Sequence, residues 1–367
     1  MKVGTLTFHM AYNYGAMLQA YALCKKLNEM GYDAEIIDYR LEYIDQWRRK
    51  EGFNFLRKRF GIIGGGLRVC KRILIGHYKK DKLWKRFEGF MKHTLKRSKC
   101  IIRDPQELKN TSYDAYICGS DQIWNSDLTD GFCDEYYLRF APKGKRRIAY
   151  AASCGKGYIK AEEKEKVGKY LNDFDALGIR EKELSEYISK EYGLVAVNVL
   201  DPVFLLNKEQ WSRIAVKPKH ENYLLIYAFD EGAELYETAL NVAKEKGYMV
   251  IAIVYNHRDD LPKEIIQLDD CGPKEFVGLI KNAEFVCTSS FHGTAFSLIF
   301  NKDFYCFPHG KFGSRTDSIL EMAGLLDRNV YKEDGVKAWS GIDYAAVNES
   351  LDEEIRKSEK FIRNALK

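Results

Sequence analysis

The stretch from Glu284 to Asn301, EFVCTSSFHGTAFSLIFN, sets one histidine among hydroxyls in a pattern that suits proton transfer beside an anion. Phe285-Val286-Cys287 has the length and bounding of a buried strand. Thr288-Ser289-Ser290-Phe291 breaks it, and Gly293 to Phe300 has helical spacing. In a strand, polar turn, helix unit, the free first-turn N–H groups and the helix dipole attract an anion. Such a turn leaves the C-terminal edge of a parallel sheet, where open α/β sheets bind ligands. His292 lies in it, beside a glycine that lets a ligand approach the backbone closely. A lone histidine here is most simply part of a helix cap. Ser289, Ser290 and Thr294 crowding the same turn favour a site instead.

Other strand ends carry further candidates. Gly119-Ser120-Asp121-Gln122-Ile123-Trp124-Asn125 follows the strand pattern Asp114 to Cys118. Gly-Ser allows close approach, and Asp121 and Gln122 can take hydroxyls; a helix N-cap is the plainer reading of Asp121. Arg180 follows the strand pattern Phe174 to Ile179, where its guanidinium can hold a phosphate or carboxylate through paired N–H bonds. A surface ion pair is the plainer alternative. Arg315, opening a later helix, is a second candidate anion ligand. In the turn after the first strand, Asn13 and Gly15 suit a sugar or phosphate, or simply shape a glycine turn.

The elements that must position these residues alternate in type. Lys2 to Phe8 reads as a strand, Met17 to Met30 as a helix stopped by Gly31, and Ala34 to Tyr39 as a strand, which makes a βαβ unit. It lacks GxGxxG, so a dinucleotide fingerprint is not supported. Arg147 to Ser153 is another strand, and Asp201-Pro202 marks a turn. The pattern loosens around Asn207 to Asn222 and then resumes. Strands are expected at Tyr223 to Ala228, Tyr248 to Val254 and Asp303 to Phe307. Helices are expected at Ala233 to Lys246, from Pro273 to Lys281, and in the tail from Leu351 to Leu366. The expected domains are 1–215 with a basic insert at 45–103, then 216–340, then a C-terminal helix over 341–367. Two Rossmann-like, doubly wound α/β domains facing a cleft make a GT-B-like architecture.

With 367 residues and 46% hydrophobic content, the chain can bury a core for two domains. No apolar run is long enough to span a bilayer and the N-terminus enters strand pattern at once, so neither membrane span nor leader is expected. Nine cysteines lie singly, with no CxxC pair or His/Cys cluster, which predicts reduced thiols in a cytoplasmic protein and no metal. Net charge is +5, yet Trp47 to Arg103 alone carries +16 and leaves −11 elsewhere. That segment interleaves Phe53, Phe55, Leu56, Phe60, Ile62, Ile63 and Ile73 to Ile75 with its bases. It reads as a solvated basic helix pair or as a patch for an anionic membrane surface, with nucleic acid excluded for want of any recognised fold for it.

Several of these blocks together resemble the polysaccharide pyruvyl transferase family. They are Thr7-Phe8 with Tyr12-Asn13-Tyr14-Gly15-Ala16 and Leu18 to Leu23, Gly119 to Asn125, Ile179-Arg180-Glu181, Leu200-Asp201-Pro202, and Ser289-Ser290-Phe291-His292-Gly293-Thr294. They run in order from residue 3 to about 325 and skip only the basic insert. Where members of the family often carry a glycine triplet, this chain has Gly119-Ser120-Asp121-Gln122. The resemblance implies a GT-B-like fold and transfer of pyruvate from phosphoenolpyruvate (PEP) onto two sugar hydroxyls as a cyclic ketal. It also implies work on cell-envelope or capsular glycans, with the acceptor sugar on a nucleotide or a polyprenyl lipid.

Under that resemblance His292 is the expected general acid, and Asp121 orients an acceptor hydroxyl or acts as base. Arg180, Ser289, Ser290, Gly293, Thr294 and Arg315 are expected around PEP. Asn13, Tyr14, Gly15, Ser120, Gln122 and Trp124 are expected around the acceptor. PEP serves as co-substrate, with no cofactor, and the insert would bring a cytoplasmic enzyme to the inner face of the plasma membrane. A nucleotide-sugar glycosyltransferase, with His292 as base and Arg180 on the diphosphate, is the alternative; a non-catalytic glycan- or lipid-binding protein ranks below both.

Overall fold

The structure, a computed structural model, describes residues 1–41, 77–229, 233–307, 313–330 and 341–367, with backbone alone for 77–81, 233 and 313–315. The first half runs β1 (Lys2–Leu6), α1 (Tyr14–Glu29), β2 (Asp33–Ile36), α2 (His77–His93), β3 (Ala115–Cys118), β4 (Arg146–Ala152), α3 (Lys164–Leu171), β5 (Ala176–Ile179), α4 (Lys182–Tyr192) and β6 (Ala196–Asn198). After α5 (Lys208–Ser212) come β7 (Tyr223–Tyr227), α6 (Ala233–Lys246), β8 (Met249–Ile253), β9 (Ile265–Leu268) and α7 (Pro273–Asn282). The chain then continues through β10 (Phe285–Thr288), α8 (Phe291–Ile299), β11 (Asp303–Cys306), α9 (Gly313–Met322) and α10 (Tyr344–Ala365).

Two wholly parallel sheets result, ordered β2-β1-β3-β4-β5-β6 and β11-β10-β7-β8-β9. Their central strands are buried on both faces, so they read as continuous apolar runs such as YLLIY in β7. The edge strands β6 and β9 carry polar residues or weak patterns, and periodicity did not flag them. In the first sheet the strand order reverses between β1 and β3, in the second between β7 and β10. Crevices at such reversals are where open sheets take ligands. The loops after β1, β3, β5 and β10 carry the candidate residues other than Arg315, which lies on α9.

The two halves meet through the start of α1 and the start of α8. Tyr14 is fully buried, donates its hydroxyl to Cys271 O at 3.0 Å, and stacks on Phe276 of α7 with ring centroids 4.7 Å apart. Helix α2, the described end of the basic insert, buries Leu83, Phe87, Phe90 and Met91 and turns Lys82, Lys85 and Lys92 outward. Arg86 then reaches the second half, donating to Asp270 O and lying 3.4 Å from Glu275 Oε1. The apolar residues between 53 and 75 that suggested a membrane patch lie outside the described residues. Helix α10 begins beside the second half, with Ser350 Oγ on Met322 O, and ends on the first, where Ser358 Oγ accepts from Leu200 N. Among the described residues no helix is long and apolar enough to cross a membrane.

Candidate active site

His292 occupies the first turn of α8 and is buried. It stays there because α1 comes unusually close: a Cβ on Gly15 would stand 1.9 Å from His292 Nδ1. The glycine next to it is equally constrained, since a Cβ on Gly293 would meet Thr288 Oγ1 at 2.2 Å. Thr288 shapes the turn itself, donating its hydroxyl to Tyr227 O at 2.6 Å and accepting from Ser290 N at 3.1 Å. Ser290, the N-cap of α8, places no side-chain oxygen over the first-turn amides. Those amides and the helix dipole therefore remain the anion-favouring feature that the sequence suggested.

On its other side the ring faces Asp201, with Nε2 at 3.8 Å from Oδ2. The same carboxylate oxygen accepts from Arg180 Nη1 at 3.0 Å and from Ser120 Oγ at 2.9 Å. Its other oxygen, Oδ1, caps the short helical turn that follows, accepting from Val203 N at 3.1 Å. Residues from α8, the end of β5 and the end of β3 thus converge on one buried aspartate. In the sequence Asp201 shows only as part of a turn and of a matching block. Its signal was there: an acid just beyond a strand on the same sheet edge as Arg180.

Arg180 is buried and crowded by acids. Its Nη2 lies 3.9 Å from Asp121 Oδ1 and its Nε 3.7 Å from Glu181 Oε1, too far for hydrogen bonds. Among the described residues these two nitrogens find no hydrogen-bond partner. They form the edge of the guanidinium fork that a carboxylate or phosphate takes bidentately. Burial works to lower the Arg180 pKa, and the charges of Glu181, Asp201 and Asp121 outweigh it and hold the group above its ordinary value. The Phe291 ring covers the guanidinium at 5.1 Å. Glu181 is fixed in turn by Ser153, whose hydroxyl donates to Oε1 and accepts from Gly155 N at 3.0 Å.

The remaining candidates divide. Ser120 is locked by its neighbours: Thr7 Oγ1 donates to its carbonyl at 2.8 Å, and its N–H donates to Gln19 Oε1 at 3.2 Å. Asp121, at φ 72°, accepts from Gln122 N at 2.8 Å and keeps its side chain half-buried at the edge of the Arg180 cluster. Gln122 accepts from Asn125 Nδ2 at 2.9 Å and packs on Gly155. Asn13 is the N-cap of α1, accepting from Ala16 N at 3.0 Å, so the simpler capping role applies to it. Tyr14 sits inside the interface between the halves. Trp124 is buried, donating Nε1 to Tyr136 O at 3.0 Å and stacking on Tyr137.

In the other half, Ser289 accepts from Phe229 N at 3.1 Å, tying the β7 and β10 loops together across the strand reversal. Thr294 is fully buried and reaches Cys306 Sγ. Arg315 belongs to α9, and its side chain lies outside the described residues. The structure thus brings together His292, Arg180, Ser120 and Asp121 with the unforeseen Asp201. Asn13, Tyr14, Trp124, Ser289 and Thr294 are engaged in contacts of their own, as a helix cap, in the packing between the halves and in the loops and core beside them. Among the described residues no group of three His, Cys, Asp or Glu side chains is placed to hold a metal ion.

A model of the polysaccharide pyruvyl transferase family matches residues 13–311 of the chain. No match is found among curated proteins. Among solved structures, S. aureus MnaA with UDP aligns at a TM-score of 0.50 and 11% identity, over 98% of this chain and 89% of that one. UDP-GlcNAc 2-epimerase from Neisseria meningitidis, bound to UDP-GlcNAc, aligns at 0.48 and 8% identity, over 100% and 94% of the two chains. E. coli ADP-heptose LPS heptosyltransferase II aligns at 0.38 and 12% identity, over 98% and 100%. At such identities the likeness concerns the fold. With two parallel sheets whose ligand-binding edges face each other, that fold is GT-B-like.

Proposed function

Because this chain belongs to the polysaccharide pyruvyl transferase family, we propose that it transfers pyruvate from PEP onto two hydroxyls of a glycan or carrier-linked sugar as a cyclic ketal. The observation that carries this reading is the meeting of a histidine, an arginine and a serine on one buried aspartate where two facing sheet edges come together.

The chemistry asks for those parts. A proton must reach the methylene carbon of PEP, leaving an oxocarbenium-like centre at the adjacent carbon. One sugar hydroxyl attacks that centre and gives up its proton. Phosphate departs with the C–O bond electrons, and the second hydroxyl adds to the same carbon and gives up its own proton, closing the ring. His292 suits the acid, because imidazole titrates near neutrality and a positioned acid contributes typically ~10²–10⁴-fold. The Nε and Nη2 edge of Arg180, which faces Glu181 and Asp121 without hydrogen-bonding them, and the uncapped first turn of α8 suit the carboxylate and phosphate of PEP, which need fixed donors in a site shielded from water. In this reading Asp121 and Gln122, on the loop after β3, orient acceptor hydroxyls.

The acceptor's setting follows from the same reading. Capsular or envelope glycans are assembled from sugars on nucleotides or polyprenyl pyrophosphate. A segment of +16 over Trp47 to Arg103 suits the inner face of the plasma membrane, where anionic lipid lies. Binding to anionic liposomes that weakens with salt is the expected result, and no binding at low salt would remove this part of the proposal.

A calorimetric titration with PEP, run beside UDP-sugars in one buffer, tests the main reading. Saturable PEP binding, absent in Arg180→Ala, supports it. UDP-sugar binding without PEP binding, followed by release of the nucleotide as product, overturns it in favour of glycosyl transfer.

A further inference from the structure

We propose that Asp201 is the positioning residue of this site, its Oδ2 facing Nε2 of the His292 ring as a counter-charge that favours the protonated ring. The inference rests on the reading of His292 as an acid, yet the geometry behind it is independent of any substrate.

Three facts carry it. Asp201 is fixed: it is buried, its Oδ1 accepts from Val203 N, and its Oδ2 accepts from Ser120 Oγ and Arg180 Nη1. The ring is bounded on both sides, with Nδ1 against Gly15 and Nε2 facing Asp201 Oδ2 at 3.8 Å, an ion-pair distance rather than a hydrogen bond. Asp201 brings a negative charge to the ring, while Arg180 beside it is shared among Asp201, Asp121 and Glu181. A carboxylate within about 4–6 Å of an ionisable group stabilises its opposite charge, and the effect grows as water is excluded. The proton on Nε2 is the one Asp201 attracts. That nitrogen also lies on the Arg180 side, where a bound anion would seat. Asp201 therefore links the proton carrier to the anion clamp without touching substrate itself.

The division of labour has a kinetic consequence. Asp201→Asn keeps a side-chain oxygen for Val203 N but removes the negative charge, so His292 loses its counter-ion and Arg180 loses one of three competing acids. Turnover should fall while the KM for PEP stays level or drops, and the basic limb of the pH profile should move to lower pH. A purely structural aspartate would instead raise KM, lower turnover together with stability, and leave the limb in place.

The direct test is the titration of His292 in 15N-histidine-labelled protein, with its resonance assigned through His292→Gln. Burial works against the charged ring, so the reading is a difference: the ring should titrate about one unit lower in Asp201→Asn than in the wild-type chain. Asp201→Glu, which keeps the charge, should restore most of the difference. Equal titration in the wild-type and Asn proteins would overturn the proposal; should the Asn protein not fold, equal titration in the wild-type and Asp201→Ser proteins would do so. Neither readout needs PEP turnover, so a failure of the pyruvyl-transfer reading remains distinct from a failure of this one.

Discussion

Replacing Gly15 by alanine separates the site from the fold more sharply than any other single change. Gly15 is the second residue of α1, where an added methyl would ordinarily stabilise a helix by roughly 0.5–1 kcal/mol. Here that methyl would stand 1.9 Å from His292 Nδ1, 2.3 Å from Cε1 and 2.4 Å from Cγ. To regain van der Waals contact the ring must retreat by about 1.5 Å, and Asp201 and Phe291 close off the space behind it. Otherwise α1 and α8 must part, at an overpacking cost of about 1–3 kcal/mol. A misplacement of about 1 Å costs around 10²-fold in rate, and the whole acid contribution is ~10²–10⁴-fold. Gly15→Ala is therefore expected to lower turnover by about 10²–10⁴-fold with PEP affinity little changed. The assay is phosphate release from PEP against a panel of nucleotide- and polyprenyl-linked sugars, with calorimetry for PEP and a melting curve alongside. A variant that is stabilised and turns over within a few-fold of wild type would refute the reasoning, because the ring would not then be held where the chemistry needs it.

Three further outcomes follow from the charges. Arg180→Ala should abolish PEP binding and also lower stability by about 3–5 kcal/mol, since Asp201 and Glu181 would stay buried without their cation; urea unfolding that matches wild type would contradict this. PEP binding should take up protons and tighten as pH falls, because a trianion entering beside Asp121, Glu181 and Asp201 raises carboxylate pKa values; heats that do not vary between buffers of different ionisation enthalpy would exclude it. Asp38, away from the site, gives a stability test. Burial works against its charge, but hydrogen bonds from His9 and Arg40 win and hold the carboxyl well below the usual range. Its folded pKa lies below the unfolded value of about 3.9, so its contribution is full above that pH and fades as pH falls toward the folded value. The stability gap between wild type and Asp38→Asn, about 3 kcal/mol at neutral pH, should narrow in acid; a gap constant with pH would disprove the linkage.

The sequence by itself determined the alternation of strand and helix, the strand ends that bear chemistry, and the family. Those are local properties. The run Tyr223 to Ala228 and the break at Thr288-Ser289-Ser290 read the same whatever packs against them, and Gly31 and Gly247 stop helices by their own backbone freedom. Short edge strands such as Ala196–Asn198 and Ile265–Leu268 were missed because few residues and a half-exposed face give no clear period. The tertiary structure alone decided which candidate groups meet. Asp201 lies 81 residues from Ser120 and 21 from Arg180 along the chain, and no pattern measures such a separation; only the packing of β3, β5 and the turn after β6 closes it. The same holds for Gly15 against His292, since the approach of α1 to α8 depends on how two separately built sheets dock. It also assigned Tyr14 to the packing between the halves and Trp124 to the core of the first, because burial is set by neighbours distant in sequence.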